Sequence, residues 1–239
     1  MLFVSTLHAS HLMGGELRYV FAGENLSNRT NTYLVQLTYY RYCEPGTAPF
    51  NSIYPMAVCA DSSTHPNYKK SVYNVSLPTV SSLFIHPAAA DTSCNFNTHD
   101  CIEKAIYQTY ITLSKDTTWH LLIYDVSRNS SIVNLLQPDS VGMIFYCIIP
   151  AGINNSSPAF NNTAIPFVCM NDTVMLYNTA SDADGDSLVF QFARPYGYHP
   201  NTTTNISFVN NVSGAFYYLF PLPIVPYAPG YSSVQPFGL

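Results

Sequence analysis

From Thr32 to Tyr42 the chain reads TYLVQLTYYRY, and no other feature constrains the fold as much. Tyr33, Val35, Leu37 and Tyr39 fall on one side and Leu34, Gln36, Thr38 and Tyr40 on the other, the two-residue period of a sheet covered on one face. Cys101 to Leu113 repeats it, with Ala105, Tyr107, Ile111 and Leu113 opposite Lys104, Gln108, Tyr110 and Thr112. Shorter candidates are Leu17 to Phe21, Ile53 to Cys59, Val80 to His86, Trp119 to Val126, Val141 to Ile149, Leu188 to Phe192 and Ala215 to Phe220. Turn signals separate them: CEPG from Cys43, HPN from His65, PDS from Pro138 and DADGD from Asp182. The single helix-like piece, Ser131 to Gln137, is too short for more than a turn. Asn, Ser and Thr supply 63 residues, which suits strands and turns rather than long helices. The expectation is an all-β fold of β-sandwich type, with many short strands in two sheets.

With 239 residues there is room for two such domains. Ile149-Pro150-Ala151-Gly152 closes the first strand set, and residues 153–160 read as a polar, extended connector stiffened by Pro158. This predicts one sandwich over residues 10–152 and a second over 153–239. The second has about five strand candidates where a sandwich module uses about seven, so it is expected to be incomplete. Residues 1–9, MLFVSTLHA, read as the tail of a signal peptide.

Charge and cysteine content narrow the compartment and the partners. Nine basic residues against fourteen acidic ones, with no basic cluster, argue against nucleic acid as a partner. The longest mainly apolar run, Val141 to Ile149, is about half a bilayer span, so no membrane-crossing helix is expected. Cys43, Cys59, Cys94, Cys101, Cys147 and Cys169 lack metal-ligand spacing and form no CxxC pair, which favours disulfides in an oxidising compartment. Asn95, Asn97 and Asp100 favour a turn between Cys94 and Cys101, making these the first expected pair, followed by Cys43 with Cys59 and Cys147 with Cys169. Eleven of the 20 asparagines begin an N-x-[ST] triplet, consistent with glycan sites or simply with polar turns.

The DADGD loop carries the clearest chemistry. Asp182, Asp184 and Asp186 alternate around Gly185, a spacing that lets carboxylates converge on a hard cation such as Ca²⁺. Asn154 and Asn155 would add oxygens if the connector passes the loop, and the ion would then brace an inter-domain joint. The plain alternative is a solvated acidic turn.

Several of these stretches together resemble a family. The chain is similar to surface-exposed proteins of Bacteroidetes associated with gliding-motility-type secretion and adhesion. Their HxxGGE opening matches His11, Gly14, Gly15 and Glu16, and their YRDC matches Tyr40-Arg41-Tyr42-Cys43 apart from Tyr42. Their C-V-E-x-G-x-Y corresponds to residues 101–107 with Ala105 for glycine. Their RCCRN corresponds to the segment ending in Arg128 and Asn129, which lacks both cysteines. The likeness continues through Asn155 to Phe160, Phe167 to Asn171 and Ala180 to Leu188. The last portion is similar to cadherin-like and Ig-like sandwich repeats, in which such a connector and a DxDGDS loop accompany calcium sites. The resemblance implies an extracellular or cell-surface module of a longer mosaic protein, with neighbouring domains as partners.

The seven histidines show no HExxH or other catalytic spacing, and a hydrolytic carboxylate pair near Asp125/Arg128 or Glu103/Lys104 would draw on a very small stock of charges. The expectation is therefore a non-catalytic structural or adhesion module. The competing reading is glycan binding, with Tyr39, Tyr40, Tyr42, Tyr54 and Trp119 as stacking surfaces for surface sugars. Tyrosines on a half-exposed sheet also pack across strands, so an exposed row of rings in a groove is what would favour that reading.

Overall fold

A computed structural model describes residues 12–43, 49–61, 68–85, 101–125, 128–162, 175, 177–197 and 217–238. Ten strands are seen among them: β1 (Leu12–Asn25), β2 (Thr30–Tyr42), β3 (Ile53–Asp61), β4 (Tyr68–Ile85), β5 (Ile102–Ser114), β6 (Trp119–Asp125), β7 (Met143–Ile149), β8 (Ala159–Phe160), β9 (Ala180–Ser181) and β10 (Tyr217–Leu219). A 3₁₀ turn, Pro138–Ser140, follows the stretch where the helix-like piece was expected.

The first seven strands form one sheet in the order β1-β2-β5-β4-β3-β6-β7, every pair antiparallel. β4 turns the corner. Its first part, up to Pro78, pairs with β3, and after a register break near Thr79 its remainder pairs with β5. A strand shared in this way bends one sheet around on itself, so β7 comes back beside β1 and the result is a nearly closed seven-strand barrel. β10 adds to the outer part of β4, and β8 with β9 makes a separate two-stranded sheet. The expected tandem Ig-like or cadherin-like sandwiches are thus corrected to one barrel plus a small ribbon. The Leu188 to Phe192 candidate carries no strand, and Val189, Phe190 and Phe192 lie exposed.

The alternation seen in the sequence sets what fills the barrel. Tyr33, Val35, Leu37 and Tyr39 of β2 and Ala105, Tyr107, Ile111 and Leu113 of β5 all point into one core, while Tyr110 is exposed on the opposite face. Tyr39 is the hub, with the Tyr54 ring 4.7 Å away and the Phe145 ring 5.1 Å away, centroid to centroid. Edge-on and tilted contacts of this kind favour the ring quadrupoles and add about 0.5–1.5 kcal/mol each beyond burial. The other face of β2 is also covered, because its polar residues bond to their neighbours: Arg18 and Gln108 both donate to Gln36 Oε1, and Gln36 donates to Thr38.

Candidate functional site

The connector and the acidic loop do meet, in a role different from the one expected. Residues 154–157 run along the outer edge of β1. Tyr19 N–H donates to Ser157 Oγ, Ser157 N–H donates back to the Tyr19 carbonyl, and Phe21 N–H donates to Ser156 Oγ, at 2.9, 2.9 and 3.1 Å. Asn154 accepts from Asn31 and donates to Glu24, both at 3.0 Å, and the Asn155 amide donates to the Ser156 carbonyl. From the loop, Asp184 accepts the Ser156 N–H at 2.5 Å, while Asp182 Oδ1 accepts the N–H groups of Asp184 and Asp186. The expected calcium site is corrected on these grounds. Asp182 folds back on its own turn, with Gly185 at φ 82°, and Asp184 serves the connector. Among the described residues no group of three or more His, Cys, Asp or Glu is placed to hold a metal ion.

The cysteines pair across the sheet rather than along the chain. Tyr42 faces Ile102 in the β2–β5 ladder, so Cys43 and Cys101 occupy the next rung, their Cα atoms 5.5 Å apart and joined by a disulfide. This displaces both the Cys94–Cys101 and the Cys43–Cys59 expectations. Cys147 is a thiol whose pKa burial pushes up, which sets aside its pairing with Cys169, and Cys59 is a buried thiol. Cys94 and Cys169 lie outside the described residues.

The tyrosines named as stacking surfaces belong mostly to the interior. Tyr39, Tyr40 and Tyr54 are buried, and the buried Trp119 donates its indole N–H to the Ser114 carbonyl. Burial, and after it the charge of Asp125, pushes the Tyr39 and Tyr54 phenols well up. Glu103 is held by Arg41 Nε and Ser82 Oγ in a buried ion pair. On the outer face His120 is buried between Tyr146 Oη (2.6 Å) and Asp61 Oδ1 (3.2 Å), under the ring of Phe220.

A cleft of about 610 Å³ opens where the barrel fails to close. Residues 14–17 of β1 form one wall and residues 143–146 of β7 the other, with Arg128, Phe160 and residues 193–196 completing the lining. No ladder joins β1 to β7; Tyr19 and Phe21 of β1 bond the connector instead, and Ile144 of β7 bonds Tyr196. Gly15 permits the approach, because a Cβ there would strike the Thr38 carbonyl and come within 3.2 Å of the Phe145 ring. The C-terminal part closes one end. Ile144 N–H donates to the Tyr196 carbonyl, and residues 195 and 197 exchange hydrogen bonds with residues 225 and 223.

Arg128 is the unusual residue of this cleft. It is 8% exposed, its Nη2 donates to the Tyr196 carbonyl at 2.8 Å, and its Nε is buried with no partner. Burial lowers its pKa to about 10. A guanidinium removed from water without a counter-charge is costly, since several kcal/mol of hydration are lost. Phe145, Tyr146, Phe160 and Tyr196 bring four rings to the same space, and Arg194 and Glu16 add one charge of each sign. The sequence reading met Phe160 only as the end of the connector and passed over Phe145 and Tyr196 as site residues. It met Gly14 and Gly15 only as residues of the resemblance, and Arg128 there and beside Asp125 as a neighbourhood for a hydrolytic carboxylate pair. The available signal was an arginine in a chain with very few charges. Compared with known protein families, curated proteins and solved structures, the chain matches none.

Proposed function

We propose that this chain is a non-catalytic structural or adhesion module of a secreted or cell-surface protein, working beside neighbouring domains of a longer chain. The observation that supports the reading best is the Cys43–Cys101 disulfide, a covalent tie between non-neighbouring segments of a kind that persists in oxidising compartments. The likeness to Bacteroidetes surface proteins points the same way. Among the described residues no helix is long and apolar enough to cross a membrane. The test is to express the tagged protein in its native cells, shave intact cells with protease and map the cysteines without reduction. Surface cleavage with Cys43 and Cys101 linked is expected. A protected protein with both thiols reduced would overturn the reading.

Glycan recognition is the second reading, and the cleft favours it. The aromatic residues expected to stack on sugars are mostly internal, yet four other rings gather in one groove beside polar and charged groups. This is the usual make-up of a small-molecule site, an apolar lining with a few placed polar groups in about 300–1,000 Å³.

A further inference from the structure

On the glycan-binding reading, we infer that the cleft between β1 and β7 takes an acidic sugar, a hexose unit carrying a carboxylate, and that Arg128 is the partner of that carboxylate. Arg128 is more than nine-tenths buried in the cleft wall, its one hydrogen bond goes to a neutral backbone carbonyl, and its Nε has none. Among the described residues no carboxylate pairs with it. An entering anion supplies the missing charge and acceptors, and the planar guanidinium fork suits a carboxylate's two oxygens.

The surroundings narrow the anion. Arg128 and Arg194 against Glu16 leave the lining one net positive charge, which matches a singly charged carboxylate; a doubly charged phosphate would face Glu16 with a charge to spare. The rings narrow the rest of the ligand. Phe160 is 49% and Tyr196 39% exposed, which leaves ring surface for a pyranose to pack on.

Calorimetric titration of the full chain with digalacturonate, with neutral digalactose of the same linkage and with inorganic phosphate tests the inference. Digalacturonate is expected to bind at least about tenfold more tightly than digalactose, with an affinity that falls as salt is raised. Arg128→Gln should remove that preference. Gly14→Leu should block the cleft without disturbing the fold, since a side chain there meets nothing within 4 Å at its first atom. Circular dichroism checks both variants, and if Arg128→Gln does not fold, Gly14→Leu and Arg194→Gln decide the matter. Equal binding of the acidic and neutral sugars, abolished by Gly14→Leu, would overturn the carboxylate assignment and leave glycan binding standing. No sugar binding at all would overturn both. Tighter binding of phosphate, or sugar binding that survives Gly14→Leu, would also overturn the inference.

Discussion

Gly14 and Gly15 are adjacent in sequence and opposite in consequence, and substituting each by alanine tests whether β7 closes on β1. At Gly15 the new methyl collides with the Thr38 carbonyl and sits 3.1 and 3.2 Å from the Tyr39 and Phe145 rings. The first neighbour is backbone of the β1–β2 ladder and the other two are rings of the packed aromatic hub, so none yields easily. Overpacking of this kind costs about 1–3 kcal/mol. For a chain of this length, at about 2–4 °C per kcal/mol, the melting temperature should fall by roughly 2–12 °C. At Gly14 the methyl meets open space. That substitution should stay within about 0.5 kcal/mol of the parent, or gain slightly because alanine restricts the unfolded chain. Thermal melts and urea titrations followed by circular dichroism measure both. Equal stability of the two variants would refute the described packing of the seam.

Replacing Cys43 and Cys101 together by serine reopens a loop spanning 58 positions, which the chain-entropy account values at about 4 kcal/mol; urea denaturation measures the loss, and a non-reduced peptide linking Cys94 to Cys101 would contradict the pairing. Asp184→Ala removes the acceptor of the Ser156 N–H and should cost about 1–3 kcal/mol. The unfolding midpoint of the parent should be the same in EDTA and in excess calcium, and a calcium-dependent rise would reinstate a metal at the loop. Burial raises the Tyr19 phenol to about 12, so folding favours its neutral form. Its contribution is complete below the unfolded value near 10 and is lost as pH climbs from there through about 12. Stability measured across that window should fall more steeply in the parent than in Tyr19→Phe, and parallel curves would exclude the linkage.

The inward faces of β2 and β5 were legible because burial on one face leaves a direct period of two: Tyr33, Val35, Leu37 and Tyr39 could not all be inside unless the strand ran where it does. What encloses them was not legible. The barrel depends on β4 changing partner near Thr79, and neither local propensity nor alternation records which strand a given edge will meet. The same blindness misassigned the disulfide, since Cys43 and Cys101 are near only through the Tyr42–Ile102 register. Leu188 to Phe192 is as apolar and aromatic as many strands, yet Val189, Phe190 and Phe192 lie exposed, because composition supplies a propensity and not a partner. At the DADGD loop the residue types suited a cation, but backbone N–H groups satisfy the Asp182 and Asp184 carboxylates just as well. Arg128 was visible as a letter, while its isolation is a property of the walls around it.

The serine-bearing connector along β1 has a consequence for colloidal behaviour. An incompletely closed barrel has two bare strand margins, each a template for a neighbouring molecule, and proteins often defend such margins with lysines. This chain has nine basic residues in all and defends its margins with its own backbone, laying residues 154–157 on β1 and residues 195–197 beside β7. The segments after β7 therefore act as built-in blockers of self-association. Cleavage within residues 150–153 that released the connector would leave the barrel core intact but sticky, free to aggregate margin to margin.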